Sequence, residues 1–114
     1  MGVFNGVFPV LPGKEEAMRA YAAGINGPRR AEFGAAQAAL GITRQTWTYQ
    51  QTPDGSLVLV WFEAADVEKV FEDFAQATDE YNIWSRSQIR EITGIDMSEP
   101  SDAPPPEVIV EWSA

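Results

Sequence analysis

From Ile42 to Glu63 the chain reads ITRQTWTYQ, then QTPDG, then SLVLVWFE, two arms dense in Thr, Trp, Tyr, Val, Leu and Phe joined through Pro53-Asp54-Gly55. β-Branched and aromatic residues suit a pleated strand, Pro presets φ for a turn, and Gly tolerates φ > 0. The stretch is therefore predicted to be a β-hairpin. Its register constrains the fold. With Asp54-Gly55 as a two-residue loop, or Thr52 to Gly55 as a four-residue one, even positions of one arm share a face with odd positions of the other. One face then carries Trp47 and Tyr49 with Val58, Val60 and Phe62; the other carries Arg44, Thr46 and Thr48 with Leu57, Leu59, Trp61 and Glu63. Both faces are apolar enough to need a cover. The chain's own helices can supply one cover, and little secondary structure remains for the other, so a second copy of the chain is the economical partner.

The remaining elements follow from period and punctuation. Residues 2 to 8, GVFNGVF, alternate as a first strand that ends at Pro9 and Pro12-Gly13. Over Lys14 to Ile25 the residues Met18, Tyr21, Ala22 and Ile25 fall at helical spacing, and Glu15 and Glu16 suit the positive end of the dipole. Asn26-Gly27-Pro28 breaks this helix. A second helical piece, Arg29 to Leu40, buries Phe33, Ala36 and Leu40 and stops at Gly41. After the hairpin, Asp66 caps a helix striped by Val67, Val70, Phe71 and Phe74. Another helix runs from about Asp79 to Ile92, with Tyr81, Trp84, Gln88 and Ile92 on one side, and ends at Gly94. A Pro-rich arm, residues 98 to 106, then leads to Glu107–Trp112, which alternates as a last C-terminal strand. The order is βαββαβ, an α+β chain predicted to fold as a single ferredoxin-like domain over residues 1–114, with an antiparallel sheet and helices on one face.

Composition removes whole classes of chemistry. The 114 residues include neither Cys nor His. Disulfides, thiolate nucleophiles, Ser-His-Asp triads and imidazole ligands to haem or zinc are thus excluded. A net charge of −9 repels nucleic acid and anionic membranes, and no apolar run approaches the ~20 residues of a membrane span. The opening MGVFNGVFPV has no basic leader, so a cytoplasmic site is expected. No spacing of Asp and Glu resembles a calcium loop, and no metal or cofactor is expected.

Trp47 and Tyr49 share the helix-covered face, where Tyr21, Trp84 and Tyr81 can meet them to form an aromatic box for a planar apolar ligand. An aromatic stripe of this kind packs a solid core at least as readily. Asn5 lies mid-strand, an unusual place for a short amide, and is either a hydrogen-bonding group of the pocket or an interface residue. The candidate ligand-binding set is Asn5, Tyr21, Trp47, Tyr49 and Trp84; no catalytic residue is singled out. Arg29-Arg30 can hold an anionic group or pair with Glu32. Arg44 and Glu63 are expected to form a cross-strand ion pair within a homodimer interface that also includes Leu57, Leu59 and Trp61. A cavity above about 300 Å³ between sheet and helices favours a ligand-binding role, and a filled core favours an interaction module.

The element order, the T-P-D-G hairpin and the strand exit Trp61-Phe62-Glu63-Ala64-Ala65-Asp66 resemble the dimeric α+β barrel superfamily, which includes antibiotic-biosynthesis monooxygenases and stress-responsive A/B-barrel proteins. The segment WSRSQIREITGIDM is most similar to uncharacterised bacterial members. The resemblance implies two ferredoxin-like sheets packed face to face into a barrel. It also implies a pocket for a small apolar or aromatic molecule, used for cofactor-free oxygenation or isomerisation. Non-catalytic binding of a hydrophobic ligand such as a fatty acid, or a ligand-free dimeric module, are the alternatives.

Overall fold

The computed structural model describes every residue except Met1 and Asp102. Three strands and four helices follow in the order β1 (Gly2–Val10), α1 (Glu15–Asn26), α2 (Arg30–Leu40), β2 (Ile42–Thr52), β3 (Gly55–Ala64), α3 (Val67–Gln76) and α4 (Glu80–Thr93). The sheet has the order β1-β3-β2 and is antiparallel throughout.

The hairpin has the predicted faces. Trp47 stands opposite Val60 and Tyr49 opposite Val58, while Thr46 faces Trp61 and Thr48 faces Leu59. Thr52 pairs with Gly55, so Pro53 and Asp54 form the tip. The Thr52 hydroxyl holds it, accepting from the Asp54 N–H at 3.2 Å and donating to the Gly55 carbonyl at 2.7 Å. A register shift between Ile42 and Arg44 inserts one residue into β2. Because the side-chain period is two, that extra residue turns even-numbered Ile42 onto the same side as Gln45 and Trp47. Arg44 does stand opposite Glu63. The expected ion pair is not formed among the described residues; the Arg44 guanidinium lies 5.5 Å over the Trp61 ring instead.

Helix ends lie where the punctuation puts them. Asp66 and Asp79 accept hydrogen bonds from the N–H groups of Lys69 (3.1 Å) and Asn82 (3.2 Å), satisfying orphan donors of the first turns of α3 and α4. Gly41 and Gly94 close α2 and α4 at φ of 79° and 78°, where a side chain would be strained.

All four helices cover the face bearing Phe4, Trp47, Val58 and Phe62. Two apolar clusters result: one joins Val10, Met18, Tyr21, Ile25, Val58 and Ile92, the other joins Phe62, Ala64 and Val70. Strand β1 is tied to α4 where the Leu11 N–H donates to the Ile92 carbonyl at 2.8 Å. The opposite sheet face has no cover among the described residues: Val3 and Val7 are 46 % and 61 % exposed.

The predicted last strand is a correction. Glu107–Trp112 is exposed and pairs with no strand, so the described sheet has three strands rather than four. Alternation alone cannot make a strand, because the backbone groups also need a partner edge. The three-stranded antiparallel α+β arrangement is compatible with a ferredoxin-like fold. Among the described residues no helix is long and apolar enough to cross a membrane.

Candidate functional site: an apolar cavity with a polar corner

Between the sheet and the helices lies a cavity of about 120 Å³, walled by residues of both apolar clusters, from Phe4 and Phe62 to Tyr21 and Ile92. It is smaller than the ~300–1,000 Å³ of sites for drug-sized ligands, and so falls short of the volume expected from the sequence for a ligand-binding role. It is close to the ~150 Å³ engineered apolar cavity that takes up benzene. Its capacity is one aromatic ring or a short aliphatic segment. A wider depression of about 460 Å³ lies between the hairpin tip and Val7 to Pro12, outside the helix-covered face.

Two of the five candidate residues, Tyr21 and Trp47, line the cavity, with ring centroids 5.3 Å apart. Tyr49 and Trp84 lie on the helix-covered side but do not line it. The Tyr49 ring packs under the Arg19 guanidinium at 4.7 Å, and its hydroxyl donates to Ser56 Oγ at 3.0 Å. Trp84 backs Tyr21 edge-on at 5.3 Å and carries the Arg29 guanidinium 4.1 Å over its ring. That guanidinium also makes two 3.1 Å hydrogen bonds to Glu80 and lies 3.5 Å from Glu32, so Arg29 is engaged within the protein. Asn5 lies on the other side of the sheet. It is exposed and stands opposite Trp61, because β1 turns Phe4, Gly6 and Phe8 toward the helices and Val3, Asn5 and Val7 away.

Asn82 and Thr93 of the wall are engaged by Asp79 Oδ1 (2.8 Å) and the Ile89 carbonyl (2.7 Å), and two further polar sets remain. In the first, the Tyr21 hydroxyl and Ser85 Oγ are 2.5 Å apart. Burial, partly offset by that hydrogen bond, holds the Tyr21 phenol well above its usual range, and burial pushes Tyr81 up to about 12. Both phenols are thus neutral at physiological pH. In the second, Trp47 is joined by two glutamines that were not among the candidates. The Trp47 indole N–H donates to Gln45 Oε1 at 2.8 Å, and Gln45 Nε2 donates to Gln37 Oε1 at 2.5 Å. An indole nitrogen only donates, so it forces Gln45 to turn its oxygen toward Trp47 and its NH2 toward Gln37, which must accept. The relay therefore ends in the Gln37 NH2. Gln37 lines the cavity, and this NH2 makes no hydrogen bond among the described residues.

Gln37 and Gln45 had a sequence signal. Gln37 follows Phe33 by four residues and precedes Leu40 by three, on the buried stripe of α2, and Gln45 precedes Trp47 by two on the same strand face. No Asp, Glu, Lys or Arg is among the residues that line the cavity. No fully buried side-chain nitrogen or oxygen lacks a partner among the described residues, so the spare hydrogen-bonding capacity of the wall lies in its half-buried groups. No group of His, Cys, Asp and Glu among the described residues could hold a metal ion.

Fold and site together define a small α+β domain with an apolar cavity that is polar at one corner. No protein-family model, curated protein or solved structure matches the chain.

Proposed function

We propose that this chain binds a small molecule that combines one apolar ring with a hydrogen-bond acceptor, seated between sheet and helices. The observation that carries this reading is the Trp47–Gln45–Gln37 relay, whose terminal NH2 is a spare donor at the edge of a mostly apolar wall. A carbonyl, ether or hydroxyl oxygen on the ligand would satisfy it. The volume supports a ring-sized ligand over a fatty acid chain. The wall supports binding over proton-transfer catalysis, since its only ionisable groups among the described residues are two neutral phenols. An oxygenase or isomerase acting here would rely on acidity within its own substrate.

Membership of the dimeric α+β barrel superfamily is part of the same proposal. Its support is the antiparallel sheet with helices on one side and an open apolar face that a second copy would cover.

The test compares anisole with ethylbenzene, which are similar in size and differ by an ether oxygen in place of a CH2, using Trp fluorescence and ligand-observed NMR. Anisole should bind about 2- to 13-fold more tightly, the range of one net hydrogen bond of ~0.5–1.5 kcal/mol. Gln37→Leu should abolish the difference. Equal affinities in the unmutated protein would remove the donor's role, and binding of neither would remove the cavity's.

A further inference from the structure

We infer that Glu107–Trp112 is a donated strand, which pairs with the free edge of β1 in a second copy of this chain. This inference is independent of what the cavity binds.

Strand β1 ends the described sheet, yet it has the composition of an interior strand. It carries no charged residue, and its only proline, Pro9, lies next to its last residue. Edge strands in stable proteins are normally blunted by charge, bulges or a covering element, since a long neutral edge recruits other chains. Here the edge is continuous with an uncovered apolar face on which Val3, Val7 and Leu59 are exposed.

The same chain carries a segment with the complementary defect. In Glu107-Val-Ile-Val-Glu-Trp112, Val108, Ile109, Val110 and Trp112 are 61 %, 84 %, 84 % and 83 % exposed. Four large apolar residues in an alternating, β-prone run need a partner that their own domain does not give them. Main-chain pairing to a bare edge is how an added strand gains affinity. Neither partner adds repulsion, as β1 is uncharged and the segment's charges are confined to Glu107 and Glu111.

Chain geometry selects the second copy over the segment's own β1. Helix α4 ends at Gly94, beside Leu11 at the end of β1, so a strand returning along that edge in cis would need only a short connection. Instead, from Met97, which lines the cavity, nine residues containing four prolines lead to Glu107. At the ~3.1 Å per residue of a Pro-rich extended chain this arm spans roughly 28 Å. That is comparable with the molecule's shortest dimension of 30 Å. A stiff arm of that length carries the segment away from its own edge and toward a neighbour's.

The experiment measures solution mass by light scattering, and amide exchange, for the unmutated chain and for Val110→Pro. The substitution removes a strand N–H in a segment outside the packed body, so the helical circular dichroism should not change. The unmutated chain should have twice its 12.6 kDa mass, with slowed exchange over 107–112. Val110→Pro should have the single mass and lose that protection. Because the chain has no cysteine, Val7→Cys on one copy and Ile109→Cys on another provide a second readout. Mixed and oxidised, they should give a disulfide-linked heterodimer. A monomeric unmutated chain, protection that persists in a monomer, or a Val110→Pro variant that remains dimeric would each overturn the inference.

Discussion

The hydroxyl of Tyr21 on α1 and that of Ser85 on α4 meet at 2.5 Å in the buried layer beneath the sheet. This contact joins helices far apart in the chain and leaves Tyr21 with its polar tip satisfied inside an apolar cluster.

Ser85→Ala should therefore destabilise the fold by about 1–3 kcal/mol in urea unfolding, since it leaves a buried phenol without this partner. Tyr21→Phe combined with Ser85→Ala should cost less than the two single substitutions added together. Strict additivity in this double-mutant cycle would show that the contact contributes nothing.

Gly6→Ala is expected to cost about 1–3 kcal/mol by overpacking. A Cβ at position 6 would overlap the Phe4 ring, which is held between Phe62 (centroids 5.1 Å) and Phe71 (4.9 Å) and has little room to retreat. Adding Phe4→Leu should recover part of the loss, and a fully tolerated Gly6→Ala would show that the ring moves freely.

Asp79 couples stability to acid. Its side-chain hydrogen bond from Asn82, with help from the backbone N–H and nearby Arg86, holds its carboxyl below the ordinary 3.8. A lowered folded pKa contributes stability that is present well above 3.8 and disappears as pH falls through the lower folded value. Asp79→Ala should cost about 1 kcal/mol at neutral pH, the usual value of an N-cap. The cost should shrink toward zero in that acid window, and an equal cost at pH 7 and pH 2 would contradict this account.

On the uncovered face, Trp61→Glu tests burial by a second copy. In a face-to-face dimer it should give a helical monomer by sedimentation velocity; an undiminished dimer would place the interface elsewhere.

Much of this architecture was legible in the chain. Hairpin parity is fixed by a period of two and a short turn, so the sharing of one face by Trp47 and Val60 and of the other by Thr46 and Trp61 followed from residue numbers. Which pairs stand directly opposite depended on the loop, whose tip is Pro53-Asp54. Asp66, Asp79, Gly41 and Gly94 marked helix ends because capping chemistry is local. What was not legible depended on partners distant in sequence. The alternation around Asn5 was plain, but which alternate met the helices is set by its pairing with Trp61 on β3. The last segment has strand composition and no strand partner in its own domain, and composition cannot supply one. Gln37 and Gln45 were missed because a glutamine usually signals solvent, and only their positions on buried stripes mark them out.

The central place of β3 also orders events in time. It pairs with β2 across a two-residue tip, but with β1 only after Gly2 has been brought to Ala64 across α1, α2 and β2. Closing the long loop costs more chain entropy than closing the short one, so the hairpin should dominate the folding transition state and β1 should dock late. Substitutions at Trp47 or Val60 should then slow refolding, whereas those at Phe4 or Phe8 should mainly speed unfolding. Until β1 arrives, one side of β3 stands open, so an unpaired edge is exposed in that interval.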